Sequence, residues 1–466
     1  MKIALVELTS RDLLNIYSVI TMPRGIPLLA AIIKDLGHKV DCFVDNIQKF
    51  NWKELLNYDL IGFSIISCTA NPTYNMIKKL KNAKYKGKIV TGGPHATALP
   101  NESLNTGADI VVRQEGDKTF PQLIHALEQH LSLNNVLGIS WKTETDTLKH
   151  NPNQKQLTSI ELSNLPPPAF DTIRGYKNIR QIPLVFSRGC PYDCIFCAVR
   201  SIFGTYRFST VASRISQLKT FKNAYPWFWK NCMFFFADDN FFGDRESLPI
   251  AKEMLKQMIA GDLIPKKGWV CQMRVTDANI ETAQLLKEAG CKVVCLGIET
   301  TDAVALKSIQ KGQTPDDIRN GLSHLHTQKI KTLAMTITGI GTETFWSFFK
   351  GIRTLRQWGI TYIQILAMVP FPGTKMTNQL ESMQVKFSHN YDLYNGMHVL
   401  IKPAKMSVPA TWMSVYLTTI WFYFFTVHGL KLFITEFRHY LKMLTLLFLQ
   451  GITWPIRLVK ECFIYR

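Results

Sequence analysis

Three cysteines, Cys190, Cys194 and Cys197, stand in the stretch SRGCPYDCIFCAV at the spacing C-x3-C-x2-C. Thiolates are soft ligands that match iron, and a loop this short turns all three to one face, which suits an iron–sulfur cluster. Three ligands on a 4Fe-4S cluster leave one iron open to a substrate or cofactor. A zinc site would need a fourth ligand and normally draws on paired C-x2-C units. Other polar residues close very apolar runs: Asp238 and Asp239 in FFFADDNFF, and Gln272 and Arg274 in VCQMRV. Burying such groups costs free energy unless something pairs with them, so they imply either ligand contact or a buried ion-pair network. Cys271, Cys291 and Cys295 make no second cluster loop and are expected to pack as small apolar groups.

The elements that would hold these residues fall into two series. Up to about Lys142, short apolar runs (KIALVEL, KVDCFVD, LIGFSII, KIVTGG, DIVVRQEG) alternate with helical patterns such as IPLLAAIIKDLG, the signature of an open parallel sheet. Such sheets bind ligands at the carboxyl ends of their strands, which directs attention to the loops after Ile66, Gly93 and Gly116. A hairpin (VLGISWK, TLKHN) closes this part, and ELSNLPPPAFD reads as a linker. The second series runs from LVFSRG through CMFFFADDNFF, GWVCQMRV, KVVCLGIET, KTLAMTITGIG and YIQILAMVPFPGT, separated by helical spacings that often end in glycine. Six strand–helix pairs make a partial barrel whose chemistry belongs at the strand C-termini, and the cysteine loop directly follows the first strand. The expected fold is therefore α/β. A Rossmann-like domain spans residues 1–150, a linker 151–180, a partial (β/α)6 barrel 181–380 and a helical C-terminal region 381–466.

With Phe196 preceding the last cysteine, this loop resembles that of the radical S-adenosylmethionine (SAM) superfamily. The resemblance implies that the open iron chelates the amino and carboxylate groups of SAM. One electron then cleaves the sulfonium to a 5'-deoxyadenosyl radical, which the barrel keeps dry. Glu299 in GIET resembles the family's fourth-strand acidic residue that hydrogen-bonds the ribose. ITGIGTET, with Gly339 and Gly341, resembles the fifth-strand glycine motif beside the adenine, and VPFPGT the sixth-strand motif. Together with Asp239, Gln272 and Arg274 these form the expected SAM-binding set. Locally, the two glycines would also serve a turn and Glu299 a helix cap.

TGGPHATALP and VVRQEGDKTF make the first domain resemble the cobalamin-binding domain that precedes the barrel in one large class of these enzymes. The expected cobalamin-side residues are Ser64, Gly92, Gly93, Pro94, His95, Glu115 and Gly116. The D-x-H-x-x-G motif that gives many cobalamin proteins a histidine ligand is absent, as in many members of this class. The alternatives are a repurposed Rossmann-like domain and, for the GGPH loop, a tight turn bearing a surface histidine.

A formal net charge of +19 arises from scattered lysines, which fits a solvated basic surface or attraction to an anionic membrane. A nucleic-acid methylthiotransferase would carry a second cysteine trio in its first domain, where only Cys42 and Cys68 occur, so no nucleic acid is expected. The ten cysteines form no secreted framework and MKIALVEL has no signal-peptide pattern, which places the chain in the cytoplasm, with or without contact at the inner face of the membrane. No charged residue occurs between Lys405 and Lys431, so WMSVYLTTIWFYFFTVHGL is a transmembrane helix, a membrane-surface helix or a buried cap. The following KLFITEFRHYLKMLTLLFLQGITWPIRLVK, basic and aromatic, suits an anionic membrane interface. The arrangement resembles hopanoid and other isoprenoid-lipid modifying enzymes and, more distantly, the anaerobic cyclase of chlorophyll synthesis. That implies C-methylation of an unactivated carbon in a hydrophobic, lipid-like substrate, with an electron donor such as ferredoxin or flavodoxin. Oxidation, ring formation and carbon–carbon coupling are the alternatives. A nonenzymatic cobalamin or lipid sensor is a further one, against which the intact cysteine trio argues.

Overall fold

The computed structural model describes residues 1–10, 12, 22–143, 145–426 and 429. The chain divides into two compact units, one formed by Met1–Arg11, Ile16–Pro191 and Ala198–Trp269, the other by Asp12–Asn15, Tyr192–Cys197 and Val270–Arg466. In the first unit, β1 (Lys2–Glu7), β2 (Lys39–Val44), β3 (Leu60–Ser64), β4 (Lys88–Gly92), β5 (Ile110–Val112), β6 (Ile139–Lys142) and β7 (Leu148–His150) form one sheet in the order β2-β1-β3-β4-β5-β6-β7. Pairing is parallel through β5, and β6 and β7 add the expected antiparallel hairpin. Ile3, Ala4, Leu5 and Val6 of β1 are buried, as are Ile77 and Leu80 of helix Ala70–Asn82 and Leu123 and Ile124 of helix Gly116–Glu128. A central strand with both faces covered must be apolar throughout, and these runs are. Because the chain adds β2 on one side of β1 and β3 on the other, the strand order reverses at β1, which opens a crevice at the carboxyl ends.

This unit also contains β8 (Gln181–Leu184), the two-residue strands β9 (Ser187–Arg188) and β10 (Arg207–Phe208), and β11 (Met233–Phe236). β8 and β11 pair in parallel over a core that includes Phe186, Phe221, Phe234 and Trp269. β9 and β10 form an antiparallel ribbon that the periodicity does not reveal.

In the second unit, β13 (Cys291–Glu299), β14 (Lys331–Thr338) and β15 (Tyr362–Ala367) follow β12 (Trp269–Met273), and β13, β14 and β15 pair in parallel. Within this unit the strands have the order β15-β14-β13-β12, each following its predecessor in sequence as the partial barrel requires. β14 alternates buried and half-buried residues along its length, so its two faces meet different surroundings. Crossover helices Ile280–Glu288, Pro315–Thr327 and Phe345–Gln357 begin at side-chain caps from Asn279, Thr314 and Thr344.

Helix Val408–Phe424 covers the edge strand β15. The Tyr423 hydroxyl accepts from the Ile363 N–H at 2.9 Å and donates to the Ile363 carbonyl at 2.9 Å. Val415, Tyr416, Phe422 and Tyr423 are buried, whereas Leu417 and Phe425 are exposed. No helix among the described residues is long and apolar enough to cross a membrane. The transmembrane alternative for this stretch is thus corrected up to Thr426: serine, threonine and tyrosine dilute its hydropathy, and one face packs on the sheet. The segment beginning KLFITEF lies outside the described residues.

Candidate active site

The chain leaving β8 is gripped by Asp238, whose Oδ1 accepts from the Phe186 N–H, the Ser187 N–H and the Ser187 hydroxyl at 2.9, 2.5 and 2.6 Å. Burial pushes the Asp238 carboxyl above the usual range, against the pull of Arg214 and of these donors. Of the two readings for Asp238, this is the buried network. The Asp239 carboxyl rises to about 7 through lost hydration first and the Asp238 charge second, although the residue still reaches solvent. Gly189 has a φ of +78°, and a Cβ there would lie 2.6 Å from the Thr205 carbonyl, so the turn into Cys190 requires glycine.

The rest of the loop, Tyr192–Cys197, is held by the second unit. The Arg274 guanidinium lies 3.8 Å from the centroid of the Tyr192 ring. Arg274 also donates to the carbonyls of Lys311 and Gly312, the latter at 2.8 Å. Arg274 is therefore engaged in shaping the loop. The Ile195 N–H donates to the Ile309 carbonyl at 3.4 Å, the Met376 N–H donates to the Ile195 carbonyl at 2.9 Å, and Asp193 pairs with Lys375. Phe196 packs against Ile309, Met368 and Met376. A turn in which the Cys197 N–H donates to the Cys194 carbonyl at 3.1 Å brings these two cysteines close in the chain. All three motif cysteines are half-buried and none is in a disulfide, whereas Cys271 and Cys291 are buried and Cys295 is half-buried with its thiol pushed up to about 12 by burial. Among the described residues no three His, Cys, Asp or Glu side chains converge as they would on one ion. A 4Fe-4S cluster takes its thiolates at separate irons.

At the end of β13 a bulge separates Gly297 from Glu299, and Glu299 adopts a φ of +62°. A non-glycine residue held there is uncommon and strained. Its Oε1 lies 2.5 Å from Lys311 Nζ, with both side chains buried, so Glu299 is an ion-pair partner rather than a helix cap. Glu343, one residue before the Thr344 cap, is only 1% exposed. Its Oε1 accepts from the Thr300 hydroxyl at 2.8 Å, and its Oε2 has no hydrogen-bond partner among the described residues. Burial raises the Glu343 carboxyl to about 7. Between them Gly339 and Gly341 have φ values of +88° and +106°, and a Cβ on Gly341 would meet nothing within 4 Å. Open backbone beside an orphaned carboxylate oxygen fits a polar ligand laid along this ledge, as a nucleoside would be. Gln272 is half-buried at the end of β12. Lys311 and Glu343 escape sequence reading: Lys311 sits in an ordinary loop, and Glu343 lies within ITGIGTET, where only burial distinguishes it.

In the first unit, Gly92 and Gly93 pack against the chain leaving β3. The Gly92 carbonyl accepts from the Ile65 N–H at 2.8 Å, and a Cβ on Gly93, whose φ is +90°, would lie 2.8 Å from the Ile65 carbonyl. Pro94 begins helix Pro94–Ala98. The His95 side chain is fully buried, with Nδ1 3.2 Å from Ser67 Oγ and Nε2 3.4 Å from Glu102 Oε1. The surface-histidine alternative is corrected, because this ring serves an internal network. Glu115 is likewise engaged, accepting from Arg207 at 3.0 and 2.7 Å and from the Leu157 N–H at 2.9 Å, while Gly116 opens helix Gly116–Glu128.

A cleft lies at the switch point instead, lined by Glu7, Thr9, Ser10, Arg24, Asn46 and Thr69. Glu7 is buried; its Oε2 accepts from the Arg24 N–H at 2.9 Å, and its Oε1 has no partner among the described residues. The Arg24 guanidinium donates to the carbonyl of Ser64 at 3.3 Å. Such a lining fits a ligand rich in amide groups, as a corrinoid is. The sequence points to the loops after β3, β4 and β5 but not to the ends of β1 and β2, which also line this cleft.

Two family profiles match the chain: the radical SAM superfamily over residues 184–355 and the B12 binding domain over residues 12–124. An uncharacterized methyltransferase of Pyrococcus horikoshii is 25% identical, across 82% of this chain and 83% of its own length. The hopanoid C-3 methylase of Methylococcus capsulatus is 22% identical, across 83% of this chain and 70% of its own. Among solved structures, the radical SAM methyltransferase TsrM from Kitasatospora setae with cobalamin and a 4Fe-4S cluster superposes with a TM-score of 0.66 at 16% identity, covering 82% of this chain and 78% of that one. The cobalamin-dependent radical SAM enzyme OxsB with aqua-cobalamin reaches 0.70 at 17% identity, covering 90% and 66%. These two likenesses concern the fold; the family profiles identify the two domains. SAM, a 4Fe-4S cluster and cobalamin are accordingly its cofactors, and the chain carries a radical SAM superfamily domain preceded by a B12 binding domain.

Proposed function

We propose that this enzyme methylates an unactivated carbon of a hydrophobic, lipid-like substrate. The observation that carries the reading is the presence, in one chain, of a radical SAM domain and a B12 binding domain. Together these cofactors supply a hydrogen-abstracting radical and a transferable methyl group. Cys190, Cys194 and Cys197 would hold the cluster. The open ledge at Gly341, with Glu299 and Glu343 beside it, would orient the nucleoside of SAM. The cleft around Glu7 and Arg24 would take polar groups at the corrinoid periphery. The lipid-like substrate is supported by the resemblance to the hopanoid methylase and by the long apolar stretch after Lys405. Electrons would come from a ferredoxin or flavodoxin in the cytoplasm.

The test is anaerobic reconstitution with iron, sulfide and cobalamin, followed by incubation with a reductant, methyl-labelled SAM and the lipid extract of a strain lacking the gene. Release of 5'-deoxyadenosine together with labelled methyl in a lipid fraction is the expected result. Deoxyadenosine formed with an oxidised or cyclised lipid, and no label, would replace methylation by the alternative radical chemistries.

A further inference from the structure

Helix Phe345–Gln357 and the outer face of helix Val408–Phe424 share an aromatic surface. The Phe349 ring stacks with Phe345 at 6.1 Å, meets Trp346 edge-on at 6.4 Å and meets Trp421 at 4.8 Å between ring centroids. Leu417, Trp421 and Phe425 follow one another at four-residue spacing, which puts them on one side. Trp346 and Phe425 are each 74% exposed and Leu417 is 45% exposed. Single exposed apolar residues are ordinary, but a run of ring contacts from the open Trp346 to Trp421, with the open Phe425 four residues further on, marks an interaction surface.

The charges on these two helices have one sign. Lys350 and Arg353 are exposed on the same helix, and the Arg356 guanidinium lies 5.9 Å from the Trp421 ring. No aspartate or glutamate occurs between Glu343 and Glu381, nor between Asp392 and Glu436. We propose that this face docks on an anionic lipid surface, with Trp346 and Phe425 entering the headgroup region and Lys350, Arg353 and Arg356 meeting lipid phosphates. Aromatic rings flanked by basic side chains are suited to that interface. Charge decides against two other occupants. The chain from Lys431 to Arg466 carries six basic and two acidic residues, so laying it on this face would set like charges together. A second copy would do the same. A bilayer of anionic lipids complements both the face and the tail.

The inference deepens the lipid-substrate reading and rests on it for its purpose, because a substrate dissolved in a membrane must be met there. It also places part of the anchor on the barrel's own crossover helix.

The experiment uses the full-length protein with vesicles of phosphatidylcholine alone and with added phosphatidylglycerol. The wild type should sediment with the anionic vesicles only, less so as salt is raised. Trp346→Ser with Phe425→Ser should weaken this binding by about tenfold or more, and Lys350→Glu with Arg353→Glu should remove the preference for phosphatidylglycerol. Unchanged iron content and circular dichroism would show that the variants fold. Wild-type binding by both variants would overturn the proposal and leave the tail as the anchor. Loss of a dimer in light scattering would overturn it in favour of a contact between copies. Vesicle binding that tracks the variants while no lipid is methylated would uphold the docking face and refute the substrate reading separately.

Discussion

Glu343 is a residue whose protonation the fold controls. Its folded value of about 7 exceeds its ordinary 4.5, so the folded chain binds the proton more tightly than the unfolded chain does. Stability from this group is therefore complete below pH 4.5 and declines as pH rises through 7, by on the order of 3 kcal/mol in all. Glu343→Gln keeps an acceptor for Thr300 and removes the titration. Its thermal midpoint relative to wild type should rise by several degrees between pH 5 and pH 8, in the absence of SAM. A constant offset across that range would show that the carboxyl ionises normally. The cluster cysteines give a simpler expectation. Protein purified without oxygen should hold about four irons per chain, and replacing Cys190, Cys194 and Cys197 together by alanine should abolish them by iron and sulfide analysis.

Among the elements, Tyr423 offers the sharpest test. Tyr423→Phe removes the hydroxyl that satisfies both outward-facing backbone groups of Ile363, leaving the ring in place. Hydrogen exchange of the Ile363 amide should accelerate by about tenfold or more while β13 and β14 keep their protection. Equal exchange in both proteins would mean that solvent already reaches that edge. The strands themselves were legible in the sequence because each is an apolar, β-rich run bounded by glycine, proline or polar residues. The β9–β10 ribbon was not, since two-residue strands carry no period. The cysteine loop was legible from spacing alone, yet its supports were not: Arg274 beneath Tyr192, and Met376 bonded to Ile195, come from distant segments. Glu299 announced itself by motif, whereas its pairing with Lys311 depends on how an unpatterned loop returns to the strand end. For His95 the spacing left a loop beside a macrocycle and a tight turn with a surface histidine both open, and only the fold shows that Ser67 and Glu102 enclose the ring.

For the molecule as a whole, the absence of a D-x-H-x-x-G motif and the enclosure of His95 make the same demand on its cobalamin. The reconstituted full-length protein should retain about one corrinoid per chain with an absorption spectrum lacking histidine coordination, unchanged in His95→Gln. A histidine-ligated spectrum that His95→Gln abolishes would mean that the ring leaves its network to bind cobalt. The edge of the barrel sheet carries a different kind of consequence. An open strand edge is a template that any extended chain can join, and the proteins that carry one must blunt it. Here one phenol oxygen occupies the rung that a seventh strand would use. The β15 edge is thereby made a poor recruiter at that rung: neither a misfolded copy nor an extended peptide can extend the ladder through Ile363 without first expelling Tyr423. Removing the hydroxyl would thus expose a site for growth by addition, and concentrated Tyr423→Phe protein should form strand-rich aggregates sooner than wild type.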